Sequence, residues 1–392
     1  MQIGNLLQSR KSKIILALVG VYLLSVGISF AVFSYLRSPA DKLSDVELDQ
    51  KRGGIDLTAP KTEECPLNGQ MHTKAEHDIW GARRPLGIMI ENHEDSRPQS
   101  GLSKADVVYE AVAEGGITRL LAVFFCGASA EEVQVGPVRS ARTYFLDWVS
   151  EYGDFPLYVH VGGANTPGRA NALGQIGEYG WDLYNDLNQF SIGFPTFWRD
   201  YERLGRPVAT EHTMYSTTDK LWEVAQEREL ASKNEDGDSW DADFVSWEFV
   251  DGEPPSAEVA PKAGEISFSF WKGYDDYAVS WQYDAGGNGY KRMTGEKAHK
   301  DLNNDEQIMA SNVVVLFTTE RGPIDALKHM LYTTTGKGKA LVFQNGDVIS
   351  GTWSKKTRTA RTKFMDSKGK EISFVRGPIW IEVLRTGSKV DY

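Results

Sequence analysis

Cysteine is nearly absent: Cys65 and Cys126 are the two in 392 residues. They are expected to pair in one disulfide, with two buried free thiols as the alternative. An excess of positive charge is also missing, because 43 Lys and Arg face 54 Asp and Glu, a net charge of −11. Residues 1–42 hold five basic residues and one acidic, so the body beyond them is more acidic still. Such a body excludes a nonspecific nucleic-acid binder, which needs a basic stripe to release counterions. A local basic pocket is not excluded. There is no internal repeat and no low-complexity tract. With 41% hydrophobic and 25% charged residues, neither a collagenous nor a disordered chain fits. No G-x-S-x-G elbow and no G-x-x-x-x-G-K-[ST] phosphate loop occurs. Ser269 and Lys272 fit S-x-x-K in form, but they lie in an alternating, strand-like run. His72 and His77 stand five apart, which is not the i, i+4 pair of zinc proteases. No metal and no cofactor are expected.

Ile14–Leu36 is a run of 23 residues without charge. As a helix it would span about 34 Å, enough for the hydrocarbon core of a bilayer. Arg10, Lys11 and Lys13 precede it, so the positive-inside rule leaves residues 1–13 in the cytoplasm and the body outside. A cleaved signal peptide is the rival, but its apolar region is shorter and no small-x-small site follows Leu36. The expectation is a single-pass membrane protein anchored through residues 14–36, with residues 37–64 as a polar stalk.

The remainder reads as an α+β protein. Residues 65–222 form a mixed α/β domain, 223–243 an acidic linker, and 244–392 a β-rich domain. Leu86–Glu91 is a buried strand, and Gly115-Gly116 joins two β-rich runs in an expected hairpin, with a helix over 105–114 as the alternative. Ala141, Tyr144, Phe145, Trp148, Val149 and Tyr152 make one apolar helical face, with Pro137 and Ser140 at its start. In the second half, Asn345-Gly346 marks a type I′ hairpin. The tryptophans there fall in alternating strands, which favours core packing over sugar binding.

The densest polar constellation lies in the first half. Glu91 and His93 follow a strand, Arg97 stands in the next loop, and Glu110 and Glu114 flank the hairpin. Arg139, Ser140 and Arg142 open the strong helix, and His160 ends another strand. Glu91, His93, Glu110 and His160 are the candidate acid–base groups. Arg97, Glu114, Arg139, Ser140 and Arg142 are the candidate ligand-binding groups, since arginines at a helix start favour an anion. Internal ion pairing of these arginines is the alternative.

Several of these segments carry a resemblance. Arg84-Pro85 through Glu91-Asn92-His93, Arg97 to Leu102, Ala105-Asp106 through Tyr109-Glu110, Glu114 to Arg119, Gly136 to Arg142, and His160 resemble the YerB-like family of bacterial cell-envelope proteins. The resemblance covers roughly residues 83–385. It implies a mixed N-terminal domain and a β-rich C-terminal domain, facing outward from the membrane. The founding member is a lipoprotein, whereas this chain has a transmembrane run and no cysteine near it. The family supplies no established reaction. Two functions follow as expectations. One is an envelope binding or scaffold protein offering a polar pocket to an anionic ligand or a wall-assembly protein. The other is an envelope hydrolase using Glu and His groups, with a metal in assistance.

Overall fold

A computed structural model describes residues 18–25, 53, 55–256 and 258–392. Of the expected anchor, residues 18–25 are described; they are helical and their apolar side chains, Leu18 and Leu24 among them, are exposed. The rest of that run lies outside the described residues, as do the expected tail 1–13 and most of the stalk. Among the described residues no helix is long and apolar enough to cross a membrane. Residues 1–42 and 43–392 form two separate units, and the second holds the sheets.

Its first half contains α1 (Lys74–Trp80), β1 (Leu86–Glu91), β2 (Val107–Glu114) and β3 (Ile117–Phe124). Then come α2 (Thr143–Val149), β4 (Leu157–His160), α3 (Ala172–Glu178), β5 (Asp186–Asn188) and α4 (Thr218–Glu227). The second half is β-rich: β6 (Glu265–Phe268), β7 (Val279–Asp284), β8 (Gly289–Thr294) and β9 (Asn312–Thr318). It continues with β10 (Gly336–Gln344), β11 (Asp347–Lys355), β12 (Lys363–Asp366) and β13 (Ile379–Arg385). The mixed-then-β succession matches the α+β expectation, and β2–β3 is the hairpin rather than a helix.

The two halves share one ten-stranded sheet, in the order β12-β11-β10-β9-β13-β2-β3-β1-β4-β5. The seam is β13 against β2, parallel, with Ile379 opposite Val107 and Glu382 opposite Glu110. Near-continuous apolar runs in β1, β2, β9 and β13 suit strands covered on both faces. β6, β7 and β8 belong to a second, antiparallel sheet. The expected boundary at 223–243 therefore does not divide one sheet from another. Its first residues belong to α4, whose Leu221, Trp222, Val224 and Ala225 are buried while Glu227 is exposed. Trp240, deeper in the same stretch, is buried against Phe125 with ring centroids 5.1 Å apart. The end of the expected stalk is also ordered: Lys61–Glu64 pairs with Met71–Thr73. Trp247, Trp281, Trp353 and Trp380 are buried, as packing residues should be.

Cys65 and Cys126 form a disulfide, with Cα atoms 6.0 Å apart. It fastens the turn that follows Lys61–Glu64 to the residues just after β3. For a sequence separation of 61, the chain-entropy argument gives about 4 kcal/mol of stabilisation. Cys65→Ala/Cys126→Ala should lower the unfolding free energy by about that amount, read by urea denaturation of the oxidised parent against the double variant. A difference below about 1 kcal/mol would show that the loop is already closed by its noncovalent contacts.

Candidate functional site

Strand register sorts the polar residues onto two faces. Arg119 on β3 lies opposite Glu91 on β1 and Ala111 on β2, and residues paired across strands share a face. Glu110 is one position along from Ala111, so it points to the other face, alongside its β13 partner Glu382. Glu91 and Glu110, expected to converge, are therefore separated by the sheet.

The Glu110 face is closed. Glu110, Glu382 and Arg292 of β8 are fully buried and form an ion-paired set, with Arg292 Nη2 donating to Glu110 and its Nε 3.7 Å from Glu382. Arg292 also donates to His299 Nδ1 at 2.7 Å, so the ring proton sits on Nε2 and is donated to Gln99 Oε1 at 2.7 Å. Gln99 donates to Asn92 Oδ1 at 2.8 Å, and Asn92 donates to Glu110 at 3.0 Å. Thr118 donates to the same Glu110 oxygen at 2.7 Å. The result is a ring of hydrogen bonds running from Arg292 back to Glu110. Burial, Arg292 and Arg97 hold His299 well below the ordinary imidazole range. Burial and the neighbouring Glu110 charge push Glu382 well above the carboxylate range, with Arg292 opposing. Arg97 is another internal brace: it donates to Asn92 Oδ1 at 3.1 Å and to the Asp276 carbonyl at 2.7 Å, and lies over the Tyr277 ring.

The Glu91 face is more open. Glu91 is clamped between His212 Nδ1 at 2.8 Å and Arg139 Nε at 3.2 Å. The Glu91 hydrogen bond raises His212 above the ordinary imidazole range, against the pull of burial. His93 stacks on His212, with centroids 5.0 Å apart. Nearby, Arg119 and Arg142 both donate to Glu114 at 2.6 Å. Burial pushes Glu114 up, but the two guanidinium groups outweigh it and hold the carboxyl down to about 2. Three arginines thus meet two carboxylates along this face.

Two expected placements are corrected. The strong helix begins at Thr143, with Arg142 as an N-cap residue that makes no side-chain cap. The residues before it are extended because the sheet end uses their backbone: Glu91 N–H donates to Pro137 O, Arg139 N–H to Met89 O, and Ala141 N–H to Gly162 O. Ser140 is no cap; its carbonyl accepts from Arg119 at 3.1 Å. The arginines expected to greet an anion at a helix start are engaged with Glu91 and Glu114. His160, the second correction, lies fully buried at the β4–β5 side of the sheet. Its Nε2 meets Asp186 at 2.5 Å and its Nδ1 the Gly162 carbonyl at 2.6 Å, so both ring nitrogens are occupied. Sequence pattern alone misses His212, Arg292, His299 and Glu382. Of these, Glu382 carries a signal, a single carboxylate inside the apolar run Ile379–Leu384, which burial obliges to find partners.

The architecture is that of a mixed α/β half and a β half sharing one sheet, braced by buried charge, with one partly open charged face. The chain belongs to the family described as protein of unknown function DUF3048: its N-terminal domain matches residues 67–231 and its C-terminal domain residues 266–381. The chain is similar to YerB of Bacillus subtilis (strain 168), a candidate lipoprotein, at 29% identity over 337 residues, 86% of this chain and 90% of that protein. The crystal structure of the Bacillus subtilis YerB protein covers 84% of this chain and 100% of its own, at TM-score 0.66 and 25% identity.

Proposed function

We propose that this is an extracytoplasmic binding or scaffold protein of the bacterial envelope, anchored through residues 14–36 with its N-terminus in the cytoplasm. The Glu91–Arg139 and Glu114–Arg142 face meets an anionic envelope ligand or a wall-assembly protein. The observation that carries this reading is the state of three of the four acid–base candidates, His93 being the exception. Glu110 and His160 are buried and fully engaged, and Glu91 is clamped by His212 and Arg139. A general acid or base must reach the proton it moves, and these groups are turned to the protein itself. Arg139, with its side chain 26% exposed, is the arginine of this face that an anionic partner can reach.

The test incubates the purified full chain with isolated envelope material. Expected are salt-sensitive co-sedimentation, weakened by Arg139→Ala, and no release of soluble fragments. Fragment release that Glu91→Gln abolishes would overturn the reading in favour of a hydrolase. Protease added to intact cells should remove the body and spare a short membrane-bound N-terminal fragment.

A further inference from the structure

We propose that His93, Asp95 and His212 form a binding site for a divalent transition-metal ion of the zinc class, with Glu91 as the positioning residue for His212. This does not rest on the binding role above. One potential ligand atom from each of the three residues lies within 4.8 Å of the other two. Zinc–nitrogen bonds of about 2.0–2.1 Å in a tetrahedral site put ligand atoms about 3.3 Å apart, so the set must close by roughly 1.5 Å. The movable members supply this. The side chains of His93 and Asp95 are 29% and 58% exposed, whereas His212 is 7% exposed and held in place.

His212 is the prepared ligand. Its Nδ1 faces Glu91 Oε2 at 2.8 Å, while Arg139 pairs with the other Glu91 oxygen at 3.2 Å. An ionised carboxylate only accepts, so Nδ1 carries the proton and Nε2 is the nitrogen left for a metal. A carboxylate behind a histidine in this way fixes its tautomer and raises its basicity, the usual support of a metal-binding imidazole. To reach the ion His93 must turn out of its stack on His212, whose plane is nearly parallel to its own, and give up one 3.2 Å contact that its Nδ1 accepts from the Asp95 N–H. The Arg206 guanidinium stands 3.6 Å from Asp95 and is 43% exposed, so it can withdraw from an incoming cation. Two imidazoles and one carboxylate suit zinc-class ions, whereas calcium and magnesium prefer an all-oxygen set. Three protein ligands leave a position for water or for an anion.

The full chain, stripped with chelator, is titrated with Zn2+ by calorimetry and with Co2+ by visible absorption. The expected result is one ion per chain and tetrahedral Co2+ bands. His93→Gln and Asp95→Asn lie on the exposed side and should melt like the parent without metal, yet bind Zn2+ at least about tenfold more weakly. Glu91→Gln should weaken binding about 10–100-fold. Failure of the parent to bind Zn2+ at about 100 µM would overturn the proposal. So would unchanged affinity in both His93→Gln and Asp95→Asn, which would put the ion elsewhere.

Discussion

Replacing Glu151 by Gln should cost about 5 kcal/mol of folding free energy at pH 7, the upper end for breaking a buried ion pair, because two cations are stranded. Glu151 follows α2 and is buried. Lys355 at the end of β11 reaches it at 2.6 Å and Arg361 at 3.0 Å, with Thr362 Oγ1 at 2.6 Å and Tyr109 Oη at 2.9 Å. Arg361 is also stacked 3.5 Å over Trp247, so neither cation can leave for water without unpacking the core. Burial pushes Glu151 up, but Lys355 and Arg361 outweigh it and hold its carboxyl below the ordinary range. A carboxyl lowered by folding stabilises above the unfolded value near 4.5, and that contribution is lost as pH falls through the folded value. The deficit of Glu151→Gln should therefore shrink below about pH 4.5. Near neutrality it should not grow with pH, because any proton lost by the stranded Lys355, whose value burial already lowers, relieves the buried charge. Urea denaturation of parent and variant at pH 7 and in acid checks both statements. A loss under about 1.5 kcal/mol at pH 7 would mean that water already screens the cluster.

Much of the framework was legible because it is written locally. Leu86–Glu91, the Gly115-Gly116 hairpin and the Asn345-Gly346 turn each carry their own pattern, and Asn345 and Gly346 both take positive φ as a type I′ turn requires. The seam between β13 and β2 had no such marker. It joins Val107 to Ile379 across most of the body, and a parallel pairing leaves no turn sequence behind. The same distinction holds at the site. Glu91 and Arg139 were visible as charges beside apolar runs, but their partnership is set by residues 136–141 lying extended against the sheet end. Glu151 lies beside the apolar helical face with no marker of its role, since its cations come from Lys355 and Arg361. His212 is an isolated histidine, placed against Glu91 only by tertiary structure.

The Arg292 set provides a contrasting pH signature. Arg292→Leu should also cost about 5 kcal/mol at pH 7, because it leaves Glu110 and Glu382 buried without their cation. Both carboxylates and the guanidinium are fully buried, so solvent cannot replace what is removed. His299 stands beside the pair, but burial and Arg97 would hold its proton affinity down. The stranded pair instead takes up protons. Glu382 is already raised above 4.5 by burial and by Glu110. A carboxyl raised by folding contributes fully below the unfolded value and loses that contribution as pH climbs toward the folded one. Without Arg292 the folded variant binds about one more proton than the parent above pH 4.5, so its deficit grows by up to about 1.4 kcal/mol per pH unit. The expected pattern is a variant about 1.5 kcal/mol less stable than the parent near pH 4.5 that falls away steadily toward neutrality. Glu151→Gln, by contrast, should show no growth of its deficit over that same interval. Urea midpoints of both variants and the parent between pH 4.5 and 8 separate the two patterns. A pH-independent loss in Arg292→Leu would mean that packing around Trp281 and Trp380, over which the guanidinium lies at 5.5 and 4.7 Å, outweighs its charge.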